Sequence, residues 1–240
     1  MLDPLHQFVI QPIFKINVGN VDLSFTKSSF SVLVAVVSIY ALFSMGIGQR
    51  RLVPNRLQAL VELSYELVAG MIETNVGKKG LQYFPFVFSV FFFVLFGNLI
   101  GMIPYMFTYT SHIIVTFTLA MVVFLFVTIL GFVKHGMKFF SIFAPKGLPV
   151  FLFPLLVPIE MISYLSRPVS LAVRLFANMM AGHTMMKVFA GFAAMLGVYG
   201  FAPILVNVIL TGFEIVIAML QAYVFTILTC VYLNDAVHLH

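Results

Sequence analysis

Polar and apolar positions along this chain fall into long blocks. Residues 28–49 contain no Asp, Glu, Lys or Arg. A helix needs about 20 apolar residues to cross the hydrocarbon of a bilayer, so this block predicts a first span. Arg50, Arg51 and Arg56 follow at once. Residues 54–79 have a different character, with Glu62, Glu66 and Glu73 interleaved with Leu60, Leu63, Leu67 and Met71 at helical spacing. That pattern predicts an amphipathic helix lying on the membrane surface. Charges vanish again from Leu81 to Val133, which is long enough for two spans, expected at 82–104 and 113–133. The break between them is marked by Gly101-Met102-Ile103-Pro104-Tyr105 and the polar patch Thr108–His112. Lys134, His135, Lys138 and Lys146, with Pro145, Gly147 and Pro149, mark a loop. A long apolar block, 151–196, carries Glu160, Arg167, Arg174, His183 and Lys187, and 197–203 breaks it. The last span, 204–233, holds Glu214 and Gln221. The predicted fold is an all-α integral membrane protein of one domain over residues 1–240. It has five transmembrane helices, one amphipathic surface helix and an interfacial segment at 1–27. The last two spans form a long, tilted antiparallel hairpin. From Pro158 to Lys187 a helix extends about 45 Å against a hydrocarbon about 30 Å thick, hence the expected tilt.

Composition removes the soluble classes. Of 240 residues, 62% are hydrophobic and only 9% are Asp, Glu, Lys or Arg, against about a quarter charged in ordinary globular domains. So few charges cannot cover a water-exposed surface of this size, and the lipid bilayer is the expected solvent. The net charge of +5 sits on loops, not on one solvated basic face, so no nucleic-acid partner is expected. A lone cysteine, Cys230, excludes an internal disulfide and reads as a small core residue. The start of the chain has no basic region followed by a cleavable apolar core, so the first span is expected to direct insertion. Basic residues gather in the loops after the first and third spans, with only Lys15 and Lys27 of the amino-terminal tail on the other side. The opposite loops near Tyr105–His112 and Gly197–Ala202 carry no Lys or Arg. The rule that cytoplasmic loops hold the Lys and Arg then puts the amino terminus outside and the carboxyl terminus inside.

Ionisable groups within spans cost about 2.5–3.5 kcal/mol each at mid-depth on insertion scales and usually mark an ion path. At 3.6 residues per turn, positions seven apart nearly superimpose. Glu160, Arg167 and Arg174 therefore share one stripe, close to Asn178 and among Ser163, Ser170, Ala177 and Ala181. A charge on a face of small residues suits a closely approaching partner surface. His183 falls on the opposite side, toward the last span, where Asn207, Glu214 and Gln221 again lie seven apart. In an antiparallel pair, setting Arg174 beside Gln221 brings His183 to the depth of Glu214. That is the pairing of a proton relay, because both groups can be tuned to titrate near neutrality. Plainer readings stand beside these. Arg167 and Lys187 fit snorkelling to opposite interfaces, Glu160 fits an interfacial site, and His112 fits a solvated loop. Asn98 and Pro104 fit helix packing and termination, and Arg174 could form a buried ion pair with Glu214.

The block Ser166-Arg167-Pro168-Val169-Ser170-Leu171-Ala172-Val173-Arg174-Leu175-Phe176-Ala177-Asn178-Met179-Met180-Ala181-Gly182-His183 resembles the signature of subunit a of the F-type ATP synthases. Gln221-Ala222-Tyr223-Val224-Phe225, Asn98-Leu99-Ile100-Gly101-Met102-Ile103-Pro104 and Thr110-Ser111-His112 extend the likeness over most of the chain. The resemblance implies a non-catalytic, proton-translocating stator subunit working beside a rotating ring of c subunits, each bearing a membrane carboxylate. Peripheral-stalk b subunits and the remainder of the complex are the other partners it implies. On that likeness Arg174 is the essential arginine facing the ring, with Asn178 and Gln221 near it. His183 and Glu214 match the outer half-channel and Glu160 the inner one. The implied location is the bacterial inner (plasma) membrane, or equally the mitochondrial inner membrane.

Two rivals remain in view. A secondary ion transporter usually shows inverted repeats and broken mid-membrane helices, and no matching halves are visible. For a membrane enzyme, the six histidines make no H-E-x-x-H motif, and no phosphate-binding G-x-x-x-x-G-K-[ST] run occurs. No cofactor is therefore expected, and the chain alone should hydrolyse nothing.

Overall fold

In a computed structural model the described residues are 8–9, 12–15, 17–18, 21–22, 24–48, 53–103, 106–143 and 153–238. Several sequence features fall outside them: Arg50 and Arg51, Pro104-Tyr105, the Pro145–Pro149 part of the third loop with Lys146, and the first two residues of the 151–196 block.

Among the described residues six α-helices make up the fold. Helix α1 covers Lys27–Ile47, α2 Arg56–Val76, α3 Phe84–Gly101, α4 Ile113–His135, α5 Phe153–Met195 and α6 Phe201–Val237. All but α2 are long and apolar enough to cross a membrane, α3 and α4 together with their adjoining 3-10 turns. The structure is thus all-α, with five candidate spans and one further helix. Local chemistry sets the ends. Thr26 Oγ1 accepts from the Ser29 amide at 3.3 Å to cap α1, and Asn55 Oδ1 accepts from the Arg56 amide at 2.8 Å to cap α2. Gly77, at φ +82°, stops α2 in a conformation that a side chain would resist. A 3-10 turn, Lys78–Tyr83, then leads into α3 with Pro85 in its first turn.

Before α1 the chain forms two short antiparallel ladders. Strand β1 (Pro12–Phe14) pairs with β4 (Phe25–Thr26), and β2 (Asn17–Val18) with β3 (Val21–Asp22). The residue pattern there predicts only an interfacial segment, because runs of two or three residues are too short to show a strand's alternation.

Helix α6 is the hub, packing against α5, α4, α3 and α2. The core runs through Val68 and Ile72 of α2, Val87 and Val94 of α3, Val123 of α4, Leu171 and Leu175 of α5, and Phe225 and Leu233 of α6. Cys230 is fully buried within it. The α5–α6 pair is antiparallel, as three contacts establish: Arg167 meets Asp235, His183 meets Glu214, and Thr211 meets Met186. Numbers rise on one helix as they fall on the other. At 43 residues, α5 is about 65 Å long, roughly twice the hydrocarbon thickness, so it can be accommodated only at a steep slant or by extending well past the interface. It runs through Pro158 and Pro168, each lacking an amide hydrogen, which neighbouring helices make tolerable in a membrane.

Helix α2 has two apolar faces. Val68, Met71, Ile72 and Val76 are buried against the bundle, whereas Leu60, Leu63 and Leu67 are exposed. The three leucines of the sequence pattern are thus left uncovered by the chain, Met71 of the same pattern is buried, and the C-terminal half anchors the helix. Ile72→Ala should accordingly cost about 2–4 kcal/mol of stability, and Leu63→Ala little. Thermal unfolding of the two variants in one detergent tests this, and equal losses would contradict the assignment of faces.

Candidate functional site

The ionisable residues of α5 lie in two contrasting environments. Leu171, Leu175 and Met179 face the core, and this turns the opposite side of the helix outward. Ser163, Ser170, Ala177 and Ala181 are exposed there, with Arg174 exposed among them and Asn178 half-buried. Glu160, farther along the same stripe, is also half-buried. Arg174 belongs to no ion pair among the described residues. The alternative of a buried Arg174–Glu214 pair is not what the chain forms.

Glu214 is buried at 3% exposure and faces α5. Its carboxylate lies against Gly182, where an added Cβ would sit 2.5 Å from Oε1 and 2.6 Å from Cδ. A side chain at 182 would push the carboxylate from this position. One residue on, His183 is buried too, with Nε2 3.7 Å from Glu214 Oε1. That gap is a charge contact and is too long for a hydrogen bond. Both Glu214 oxygens lack a hydrogen-bond partner among the described residues. Nε2 instead lies 3.1 Å from Thr108 Oγ1. Gln221 is buried on α6 two turns beyond Glu214, and Asn207 half-buried two turns before it. An imidazole and a carboxyl held this close, away from bulk solvent, are suited to exchange a proton.

Arg167 is partnered within the chain. Its Nη1 donates to Asp235 Oδ2 at 2.8 Å, and its guanidinium lies 5.1 Å from the Tyr164 ring and 5.0 Å from that of Tyr232. A planar cation between two rings and a carboxylate makes a clasp joining α5 to the end of α6. Lys187 is exposed. His112 is tethered as well as partly exposed, its Nε2 2.9 Å from the Phe8 carbonyl oxygen. Asn98 serves packing, donating from Nδ2 to the Ala218 carbonyl at 3.2 Å.

Sequence reasoning placed His183 against Glu214 but missed Thr108, Gly182 and Asp235 as members of these clusters. Gly182 was visible as the small residue beside His183. Thr108 belonged to a patch read only as a loop. Asp235 lies just beyond the expected end of the last span at 233.

Residues 28–234 match the family model described as ATP synthase A chain. The chain belongs to the ATP synthase A chain family. Curated relatives agree over their full length. The protein named ATP synthase subunit a from Pelagibacter ubique is 55% identical over 240 residues, covering 99% of this chain and 98% of that one. That from Rhodospirillum rubrum is 54% identical over 241 residues, covering 100% of both. That from Parvibaculum lavamentivorans is 53% identical over 244 residues, covering 99% of this chain and 94% of the relative. Within the family's matched region lie both the open Arg174 face and the buried His183–Glu214 contact.

The clasp should behave as one unit. Arg167→Lys keeps the charge but loses the planar stacking, so it should destabilise the chain about as much as Asp235→Asn does. A double-mutant cycle in detergent unfolding should return a coupling of about 0.5–3 kcal/mol. Strict additivity would show that the contact carries no weight.

Proposed function

We propose that this chain is the proton-translocating stator subunit of the ATP synthase membrane sector. The observation that carries the reading is the contrast on α5: an arginine open on a face of small residues, with a titratable pair buried behind it. Family membership supports it. In this reading the chain is a non-catalytic component of the larger complex. Arg174 faces a ring of c subunits, each carrying a membrane carboxylate, and the b subunits of the peripheral stalk and the rest of the complex hold the chain still. Asn178 and Gln221 flank Arg174. His183 and Glu214 form the relay of an outer half-channel, and Glu160 belongs to an inner one.

The physics requires a permanent cation. A guanidinium stays protonated at every accessible pH, so a ring carboxylate meeting Arg174 in low dielectric is driven to give up its proton. That proton leaves on the Glu160 side. The carboxylate, once past Arg174, takes another from Glu214, which is refilled through His183. The fixed charge also repels protons that would otherwise pass straight between the two paths. Small neighbours such as Ala177 and Ala181 permit close approach without interlocking, as a sliding surface needs. Lys and Arg in the loops after α1 and α4 favour an amino terminus outside and a carboxyl terminus in the cytoplasm of a bacterial cell. One charge crossing 100 mV carries about 2.3 kcal/mol, so several protons must act through the ring to supply one ATP.

Arg174→Ala should reduce ATP-driven acidification of inverted vesicles to background, with the c and b subunits still co-purifying. Full pumping by that variant would refute the assignment. His183→Ala and Glu214→Gln should each slow proton uptake, and normal rates in both would remove the pair from the path.

A further inference from the structure

Thr108 lies in the connection between α3 and α4, before the 3-10 turn Tyr109–Ser111, and it is buried at 7% exposure. The connection is pinned there. The Thr108 carbonyl accepts from Ser111 Oγ at 2.6 Å and from the Ser111 amide at 3.2 Å. Tyr109 is fully buried, and its hydroxyl donates to the Phe93 carbonyl at 3.0 Å. Gly101 makes room, since an added Cβ would sit 2.5 Å from Thr108 Cγ2 and 2.6 Å from its Oγ1. The outcome is a hydroxyl shared between two partners: it donates to the Gly101 carbonyl at 3.2 Å and lies 3.1 Å from His183 Nε2. A hydroxyl has one hydrogen and two lone pairs and can rotate. With its hydrogen on Gly101, it can only accept from Nε2–H.

We propose that Thr108 is a positioning residue of the His183–Glu214 relay, an amphoteric partner that holds the imidazole in place in both of its protonation states. The proposal rests on the proton-path reading above. While the ring is an imidazolium, Nε2–H donates to Thr108 Oγ1, which keeps the ring 3.7 Å from Glu214 Oε1 and short of transfer. When the ring leaves Thr108 and closes the remaining gap, Nε2 gives its proton to the Glu214 carboxylate, the acid forms and the ring is left neutral with its hydrogen on Nδ1. The hydroxyl then rotates from Gly101 to donate to the bared Nε2. A proton from the outer aqueous phase binds the only free nitrogen, Nε2, in place of the hydroxyl hydrogen, and the hydroxyl turns back to Gly101. Lys187, one turn along α5, is the other charged group near the ring, and it is exposed. A methyl in place of the hydroxyl serves neither state.

The two halves of the threonine side chain can be tested separately in the assembled complex, reading ATP-driven acidification of inverted vesicles. Thr108→Val keeps the shape and loses the hydroxyl; Thr108→Ser keeps the hydroxyl and loses the methyl that fills the space at Gly101. The expected result is about a tenfold slower rate for the valine variant, the scale of one lost hydrogen bond, and a serine variant close to wild type. A role in packing alone gives the reverse order and overturns the proposal, as does a valine variant at full rate. In a His183→Ala background Thr108→Val should add no further loss, and losses that multiply also overturn it. A full rate for His183→Ala alone would instead overturn the parent reading of His183. If the valine variant fails to assemble, the serine variant decides: a normal rate supports the hydroxyl and a slow one sinks it.

Discussion

Everything at the site depends on the register of α5 against α6. Two antiparallel helices have one relative setting at which Gly182 admits the Glu214 carboxylate and His183 comes within 3.7 Å of it. A slip of one residue rotates a helix by about 100° and would carry that carboxylate off the facing side. The register is held at two distant levels. Near the end of α6 the Arg167–Asp235 ion pair is braced by Tyr164 and Tyr232. Nearer the α5–α6 turn, Thr211 reaches Met186. The buried contact lies between them, so the fold sets the site's geometry by fixing the helices on either side of it.

This division explains what could be read from the chain and what could not. The spans were legible because the bilayer imposes a length and a polarity on every crossing segment, and Asp, Glu, Lys and Arg are absent over residues 28–49 and again from Leu81 to Val133. The facing of His183 and Glu214 was legible because helical period and a short connection leave few arrangements. Less visible was anything set by a contact from a third element. Thr108 reaches His183 across 75 positions of sequence, through a connection whose conformation no periodicity describes. The short ladders before α1 escaped for a related reason, being too brief to display a repeat. On α2 the apolar pattern was real, but a pattern alone does not distinguish positions left exposed from those that meet the bundle. Leu63 and Ile72 differ in what surrounds them, not in type.

Small residues carry much of the arrangement. Gly97 receives the Tyr109 hydroxyl, Gly101 the Thr108 side chain, Gly131 the Phe139 ring and Gly182 the Glu214 carboxylate. In water such contacts would be secondary to burial of large apolar groups. In lipid, where tails are as apolar as leucine, close approach and polar contacts between helices supply most of the specificity. The connection between α3 and α4 can therefore drop into the bundle and bring a hydroxyl to a buried imidazole.

Arg167 and Arg174 put the same chemistry two turns apart on one stripe of one helix, and spacing alone gives no reason to treat them differently. Their surroundings do. Arg167 has a carboxylate at 2.8 Å and two aromatic rings, so its charge is already answered within the chain. Arg174 has neither a carboxylate pair among the described residues nor cover on its exposed side. A guanidinium cannot shed its charge to suit a dry environment, and an uncompensated one in hydrocarbon is costly. Such a group persists within a span only where water or an opposite charge from outside the chain meets it. The same stripe thus holds one arginine whose charge is answered within the chain and one whose charge is left to water or to a group from outside it, which is the difference the proposed role of Arg174 relies on.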